Sequence, residues 1–274
     1  MLPPKTWNNI LPQRTMRRKI AKAFYQLFFD WNLFKYNIKQ QYYKWGKKDI
    51  RDASSQERLD EKTENKQAFL LPESALAHKY CIGKGLEIGG SARNPFGLST
   101  LNVDFTDSMD TAFKKEEVNL YGKALKVDIV ANGDNIPLPD ESQDFIVSSH
   151  VIEHFPNPIK ALVEWDRLVR PGGVIFMIVP HKKRTFDRGR KKTFLEHLIK
   201  DFENNNTIRH IEAKDHDHDH VWVTKTFVKL IKYMIEKLNM EWEIVEIQDV
   251  DDKAGNGFSV VIRKIKTHKF IEHA

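Results

Sequence analysis

From residue 85 onward, short apolar runs alternate with stretches in which apolar residues recur every three or four positions. The runs predict strands at 85–88, 101–104, 125–130, 144–149 and 173–179. Between the last two, Asn157 and Pro158 supply an N-cap and a first-turn proline, and a Pro-Gly-Gly sequence at 171–173 ends the helix. Strands that alternate with helices in this way predict an α/β fold. We expect a Rossmann-like doubly wound sheet, mostly parallel, with helices on both faces.

A second periodic stretch follows Thr224, which we expect to cap a helix. Two further strand candidates, at 242–250 and 257–265, are separated only by the turn-rich DDKAGN sequence. Two strands joined by so short a loop form an antiparallel pair. The C-terminal part therefore predicts an antiparallel strand pair at the edge of the sheet.

The N-terminal segment has a different pattern. Apolar residues from Ile20 to Trp45 recur at helical spacing with lysines between them, which predicts a long amphipathic helix. We expect residues 1–50 to form a basic helical arm, 51–79 a charged linker or helix, and 80–274 the main domain.

Charge is concentrated in the same arm. Residues 1–50 carry eleven Lys and Arg against Asp30 and Asp49, whereas the whole chain has a net charge of only +6. The apolar stripe favours packing on the body of the protein or on a second subunit in a homo-oligomer. Peripheral contact of residues 16–45 with an anionic membrane is the first alternative, and nucleic acid is the less favoured one.

The composition of the chain also indicates in which compartment the protein is expected. The chain has 274 residues, 41% of them hydrophobic, and Cys81 is its single cysteine, which excludes an intramolecular disulfide. No run reaches the roughly 18 to 20 apolar residues of a membrane span, and the first residues lack the continuous apolar segment and small-residue cleavage site typical of a signal peptide. We therefore expect a cytoplasmic protein, with membrane association at most peripheral.

The loop after the first strand, GLEIGGSARNPFG at 85–97, begins like a nucleotide-binding turn. A dinucleotide fold needs a third glycine and a helix aimed at the pyrophosphate, but Ser91 occupies that position and a proline follows at 95. A cofactor without phosphate fits this loop better. Glu87 within the first strand and Asp104 at the end of the second supply acidic groups for an adenosine.

Five stretches in order resemble one family. They are Leu86-Glu87-Ile88-Gly89-Gly90, Asn102-Val103-Asp104, and the segments at 132–137, 144–154 and 170–173. This series resembles the class I S-adenosylmethionine-dependent methyltransferases (type 11-like). The segment at 180–190, which reads P-H-K-x-R-T-F-D-R-x-R, resembles a branch of this family linked to bacterial polysaccharide synthesis. The resemblance covers residues 80 to about 265.

The resemblance implies S-adenosyl-L-methionine as the cofactor. Glu87, Gly89 and Gly90 would line its methionine end, Asp104 would bind the ribose, and residues 132–136 would flank the adenine. The implied cofactor-binding residues are Glu87, Gly89, Gly90, Ser91, Asp104, Asn132, Asp134, Ile136 and Ser149. Asn132 stands where the family commonly has an aspartate, and Asp134 is the alternative acceptor for the adenine amino group.

Methyl transfer to a hydroxyl requires alignment of the acceptor and removal of a proton, a task suited to histidine. His150 and His181 follow predicted strands, and His220 begins a sequence that resembles an acceptor-facing element of the family. These three are our catalytic candidates. For His154 we favour a packing role.

The segment 179–202 follows the fifth strand and should form a wall of the pocket. Arg184, Arg188, His197 and Trp222 are the substrate-binding candidates. The arginines suit an anionic group, and a solvated basic loop is an equally good interpretation. The periodic Phe194, Leu195, Leu198, Ile199 and Phe202 favour a helix packed on the core.

Histidines at 216, 218 and 220 alternate with Asp215, Asp217 and Asp219, as on the two sides of a strand. This spacing is compatible with a metal-binding site. Methyl transfer needs no metal, however, and we predict none. The resemblance implies an O-methyltransferase acting on a sugar, a lipid-linked sugar or a surface glycan. The alternatives are an RNA methyltransferase that uses the basic arm and a non-catalytic module that binds S-adenosylmethionine.

Overall fold

One seven-stranded sheet organises the chain, in the order β3-β2-β1-β4-β5-β7-β6. The computed structural model describes residues 74–90, 96–121, 123–208 and 218–266. The strands are β1 Gly85–Ile88, β2 Thr100–Asp104, β3 Ile129–Val130, β4 Gln143–Ser149, β5 Val169–Pro180, β6 Trp242–Gln248 and β7 Gly257–Lys264. The arm and linker predicted within residues 1–73, including the basic amphipathic helix, lie outside the described residues.

Five α-helices are described: α1 Ala75–Tyr80, α2 Ala112–Tyr121, α3 Pro158–Leu168, α4 Leu195–Glu203 and α5 Thr224–Lys237. Two 3-10 turns, Ile152–His154 and Phe186–Gly189, lie in the connections after β4 and β5. α3 begins as the sequence predicts, because the side chain of Asn157 accepts a hydrogen bond from the Lys160 amide and Pro158 occupies the first turn.

The first five strands are parallel, and β7 runs antiparallel to both β5 and β6. The predicted mostly parallel doubly wound sheet with an antiparallel C-terminal pair is confirmed. β6 forms the edge, and β7 lies between it and β5.

Both faces of the sheet are covered. Along β4, Ile146 packs into one apolar cluster with α3 and α5, whereas Phe145 and Val147 pack into a second cluster with α1. Successive side chains of a strand point to opposite faces, so this division shows a strand buried on both sides. α1 precedes the predicted domain boundary at residue 80, and the folded unit therefore begins no later than Ser74.

The predicted strand at 125–130 is wrong over its first four residues. The Leu125 amide donates to Glu117 Oε1, and the Leu125 carbonyl accepts from Lys114 Nζ at 3.1 Å. A buried Lys114–Glu117 ion pair, 3.0 Å apart, thus binds this backbone in place of a sheet ladder. Only Ile129 and Val130 pair with β2.

Two helix predictions also need correction. The N-cap of α5 is Val223, because the Thr226 hydroxyl accepts from the Val223 amide and donates to its carbonyl. Phe194 was expected on the apolar face of α4, but it precedes the helix in extended conformation and is 66% exposed. A residue outside the helix does not share the helical face.

Candidate active site

The direction of strand addition reverses between β1 and β4. From β1 the chain adds β2 and β3 on one side, and then β4 and β5 on the other. A crevice forms at the carboxyl ends of the strands at such a reversal, and ligands bind there. Ile88 pairs with Ser148, so the Gly89-Gly90 turn and the Ser149-His150 turn leave the sheet side by side.

The turn after β1 requires glycine at two successive positions. Gly89 has φ +66°, and its amide donates to the Val103 carbonyl at 2.8 Å. A Cβ on Gly89 would lie 2.7 Å from Cγ2 of Val151. The Gly90 amide donates to Asn102 Oδ1 at 3.1 Å, and a Cβ there would lie 2.6 Å from the same oxygen. The missing side chains leave a backbone cradle at the crevice.

Glu87 lies under this cradle and is 6% exposed. The Thr100 hydroxyl reaches Oε2 at 3.5 Å, and no donor among the described side chains and backbone reaches Oε1. Burial raises the pKa of Glu87 to about 8, against the lowering effect of Lys253. A buried carboxylate oxygen without a donor beside a glycine cradle fits the cationic amino acid end of S-adenosyl-L-methionine.

Asp104 ends β2, two strands from β4. Burial raises its pKa, and the amides of Phe105 and Thr106 partly offset that effect. Its carbonyl accepts from the Ala131 amide at 2.9 Å, which brings the segment after β3 beside the end of β2. The residues predicted for the ribose and for the adenine are therefore neighbours.

Within that segment the predicted residues differ in environment. Asn132 is exposed, whereas Asp134 forms an ion pair with Lys160 at 3.0 Å. The side chain of Ile136 is buried in the core, and its amide donates to Glu164 Oε1 at 2.7 Å. Asn132 is the member of this group whose side chain faces solvent. Ser149 is buried at the end of β4, and Ser91 lies outside the described residues.

His150 occupies the other side of the crevice. It has φ +55°, rare for a residue with a side chain, and its amide donates to the Ile178 carbonyl at 2.9 Å. Its imidazole is 27% exposed, and Nδ1 lies 3.9 Å from Oε1 of Glu153. The backbone therefore holds a partly exposed imidazole beside the glycine cradle.

Glu153 lies within the segment 144–154 that contributes to the family resemblance, but the sequence alone indicates no role for it. It is fully buried, and burial raises its pKa to about 7, against the lowering effect of His218. Nε2 of His218 lies 3.5 Å from Oε1, and Nε2 of His154 lies 3.7 Å from the same atom. Two residues distant in sequence, 153 and 218, meet here, a contact that residue spacing does not reveal.

His181 begins the connection after β5 and is 7% exposed. Burial and the nearby Arg184 lower its pKa. Its Nδ1 accepts from the Lys183 amide at 3.2 Å, which places the proton of the neutral ring on Nε2.

Arg184 and Arg188 hold the same connection in place. Arg184 donates to the carbonyl of Asp249 and, at 2.9 Å, to that of Gly257. Arg188 donates to the Lys183 carbonyl at 3.0 and 3.2 Å. Arg184 also forms an ion pair with Asp249 at 3.5 Å, whereas Arg188 is exposed, and an anion-binding role for the two arginines stays a prediction.

The structure buries His220 and Trp222. His220 is 0% exposed and stacks on Trp222 with ring centroids 5.4 Å apart, and Trp222 belongs to the core. His197 lies at the edge of this group and pairs with Asp201 at 3.2 Å. His150 is thus the most exposed of the three catalytic candidates.

The alternating strand expected for the histidine run is not formed at 218–220, which has no strand pairing. His218 and Asp219 are both buried, because the amides of Asp219 and His220 donate to the Glu153 carbonyl at 2.9 and 3.1 Å. Residues 209–217, including His216, lie outside the described residues.

Comparison with known proteins identifies the domain. Residues 81–177 match a family model described as "Methyltransferase domain". A probable S-adenosylmethionine-dependent methyltransferase of Mycolicibacterium smegmatis is 42% identical over 55 residues, 20% of this chain and 21% of that protein. Residues 81–177 thus match a methyltransferase domain, in agreement with the predicted resemblance to S-adenosylmethionine-dependent methyltransferases, the family whose cofactor is S-adenosyl-L-methionine.

The uncharacterized protein MJ1123 of Methanocaldococcus jannaschii is 32% identical over 117 residues, 42% of this chain and 53% of that protein. The chain thus spans about half of this relative. Among solved structures, a methyltransferase from Methanosarcina mazei is 17% identical, with a TM-score of 0.46, over 72% of this chain and 100% of that chain. A methyltransferase from Thermotoga maritima, described as a possible histamine N-methyltransferase, is 17% identical, with a TM-score of 0.43. The match covers 74% of this chain and 87% of that chain.

Proposed function

We propose that the protein transfers a methyl group from S-adenosyl-L-methionine to a hydroxyl of a sugar, a lipid-linked sugar or a surface glycan. The observation that carries the proposal is the partly exposed imidazole of His150 beside the glycine cradle of Gly89 and Gly90. Both lie where the sheet reverses direction, at the position where ligands of such sheets bind.

When bound, the cofactor supplies an activated methyl group on a sulfonium. The residues of the chain position the two reactants. The glycine turn lets the backbone approach closely, Glu87 offers a side-chain oxygen to which none of the described residues donates, and Asp104 offers acceptors for hydroxyls. His150 contacts the acceptor hydroxyl and takes its proton as the new bond forms.

The sugar acceptor is supported by the segment 179–202, which resembles enzymes of polysaccharide synthesis and follows β5 at the ligand-binding edge of the sheet. His181 and the exposed parts of Arg184 and Arg188 belong to this segment. Arginine forks suit the carboxylates and phosphates that acidic or lipid-linked sugars carry.

Labelled S-adenosyl-L-methionine tests the proposal. The full chain is incubated with the labelled cofactor and with cell extract fractionated into glycan, lipid, RNA and small molecules. We expect label in the glycan or the lipid-linked fraction. Label in RNA alone would favour the RNA methyltransferase alternative, and cofactor binding without transfer to any fraction would favour the non-catalytic one.

Variants connect the activity to the crevice. Asp104→Ala should abolish measurable cofactor binding in calorimetry. Asp107 is an exposed aspartate three residues further on, and Asp107→Ala should leave cofactor binding unchanged.

His150→Ala should lower the transfer rate by roughly 100-fold or more and leave cofactor binding intact. His78→Ala is its control, since His78 is a half-buried histidine of α1 whose imidazole forms a hydrogen bond with the Phe96 carbonyl. Full activity of His150→Ala would remove the assigned role.

A further inference from the structure

We infer that Glu153, His154 and His218 form a binding site for a divalent transition-metal ion, with Zn²⁺ as the expected ion. The three residues lie in the 3-10 turn after β4 and in the segment before α5. One ligand atom from each lies within 4.8 Å of the others. The inference does not depend on the proposed methyl transfer.

The distances fit a metal better than hydrogen bonds. Oε1 of Glu153 lies 3.5 Å from Nε2 of His218 and 3.7 Å from Nε2 of His154. Tetrahedral zinc with ligands at 2.0–2.1 Å separates them by about 3.4 Å. Hydrogen bonds between such groups are about 2.7–2.9 Å long. The two separations therefore match edges of a zinc coordination tetrahedron.

The environment of Glu153 favours a bound cation. Its side chain is fully buried, and neither carboxylate oxygen accepts a hydrogen bond from another residue in the part of the chain that the structure describes. Burial of a carboxylate that accepts no hydrogen bond costs about 1–3 kcal/mol or more, the penalty for a buried polar group left without a partner. A cation between Glu153 and the two imidazoles would satisfy these oxygens.

The orientation of His218 is that of a metal ligand. Its Nδ1 lies 2.7 Å from Oδ2 of Asp187, which is 1% exposed and is itself held by Arg190 at 2.7 Å. When the neutral ring donates from Nδ1 to this carboxylate, the lone pair is on Nε2, the atom that lies 3.5 Å from Oε1 of Glu153. A carboxylate is one of the groups to which metal-bound histidines usually donate the N–H of their other ring nitrogen.

Backbone bonds hold the parts together before any ion binds. The Glu153 carbonyl accepts from the amides of Asp219 and His220, at 2.9 and 3.1 Å. Arg190 also donates to the His218 carbonyl at 2.7 Å. The 3-10 turn and the segment at 218–220 are thus fixed against each other, which lowers the entropy cost of assembling the ligands.

Two imidazoles and one carboxylate are ligands that Zn²⁺ shares with other first-row transition ions. Three protein ligands leave a coordination position open, as in catalytic zinc sites. His154 is 28% exposed, so an ion can enter from solvent on that side. His150 lies next to the cluster, with its Nδ1 3.9 Å from Oε1 of Glu153.

This site differs from the one suggested by the alternating histidines at 216, 218 and 220. Only His218 belongs to both. The ring of His220 stacks on Trp222 in the core, and Glu153 and His154 come from the connection after β4. The site therefore joins the two segments through a contact that the sequence pattern does not contain.

Zinc binding by the full chain, prepared without a histidine tag, tests the inference. The protein is stripped with a chelator, loaded with Zn²⁺ and desalted, and its metal content and its affinity are measured, the latter by competition with a chromophoric chelator. We expect one tightly held Zn²⁺ per chain. Loading with Co²⁺ should give the visible absorption of a tetrahedral ion with nitrogen and oxygen ligands.

Variants assign the ligands. His154→Ala and His218→Ala should weaken Zn²⁺ binding by more than tenfold, and Asp187→Asn by about 10- to 100-fold. His78→Ala, another half-buried histidine, should bind as the unaltered chain does. His154 is partly exposed, so its truncation keeps a test available should the buried His218 variant fail to fold. Failure of the unaltered chain to retain Zn²⁺, or unchanged affinity in His154→Ala, would overturn the inference.

Discussion

At the scale of single residues, the turn after β1 depends on the absence of side chains. Gly90→Ala would place a Cβ 2.6 Å from Asn102 Oδ1, the oxygen that accepts from the Gly90 amide. We expect this variant to lose about 1–3 kcal/mol in the free energy of unfolding and to bind S-adenosyl-L-homocysteine at least tenfold more weakly. Denaturant unfolding and calorimetry measure the two effects.

Gly189→Ala is the matched control, because a Cβ on Gly189 meets no atom within 4 Å. Its stability should change by no more than about 1 kcal/mol, and its cofactor affinity should not change. Equal losses in both variants would contradict the assigned role of the glycine cradle.

Glu87 should make stability depend on pH. Its pKa rises from an ordinary 4.5 to about 8 on folding, so the folded chain holds a proton that the unfolded chain releases. Stability should therefore fall as the pH rises from about 4.5 to about 8, with a limiting slope of about 1.4 kcal/mol per pH unit.

Urea unfolding between these two pH values checks this prediction. Glu87→Gln, which stays neutral, should remove that contribution and be more stable than the unaltered chain near pH 8. Glu243→Gln alters an exposed carboxylate on β6 and should leave the pH profile as it is. Parallel profiles for the Glu87 variant and the unaltered chain would count against a proton held by Glu87.

At the scale of elements, Asn157 joins two helices. Its Oδ1 accepts from the Lys160 amide at the start of α3, and its Nδ2 donates to the Asp201 carbonyl in α4 at 3.2 Å. Asn157→Ala should lower the free energy of unfolding by about 1–3 kcal/mol, because it removes a cap and leaves buried groups without partners.

Asn204→Ala provides the comparison for this variant in the same unfolding experiment. Asn204 is exposed at the end of α4, and its replacement should change stability by about 0.5 kcal/mol or less. A loss in Asn157→Ala no larger than this would show that the cap contributes little.

The elements that the sequence predicted well are those determined by local signals. The Asn157-Pro158 start of α3 and the apolar runs of β1 and β4 need no distant partner to be recognised. The apolar residues at 125–128 predict a strand, but in the structure the Lys114–Glu117 pair of α2 binds the backbone of Leu125. Such a contact between side chain and backbone has no periodicity, and it was therefore missed.

The residues of the candidate site also fall into two groups, those whose position follows from local signals and those whose position depends on distant contacts. Gly89, Gly90 and His150 follow strand ends, and strand order alone brings them together. The burial of His220 and the contact of His218 with Glu153 depend on two backbone bonds between segments more than sixty residues apart in sequence. The sequence placed His220 at the acceptor because no local signal marks these bonds.

At the scale of the whole molecule, the charge is divided between two parts of the chain. Residues 1–50 hold eleven basic residues against two acidic ones, although the net charge of the chain is +6. None of the helices among the described residues is long and apolar enough to span a bilayer. A membrane-linked acceptor would give a basic segment with aromatic residues a role in bringing the enzyme to its substrate.

This arrangement predicts binding to anionic membranes. The full chain should sediment with vesicles that contain phosphatidylglycerol and not with vesicles of phosphatidylcholine alone. The bound fraction should fall as the salt concentration rises, because screening shortens the reach of exposed charges to about 8 Å at physiological ionic strength. Replacement of Lys19, Lys22 and Lys39 by alanine should lower it further, since each lysine near an anionic surface contributes about 1 kcal/mol.

The control is a triple alanine variant at Lys225, Lys229 and Lys232, three exposed lysines of α5 in the described domain. It removes the same charge from the chain but from a different place. Vesicle binding that falls equally in both variants would mean that overall charge, and not the arm, attracts the protein. Binding that is insensitive to salt and to both sets of substitutions would instead favour an arm whose apolar stripe packs within the protein or against a second subunit.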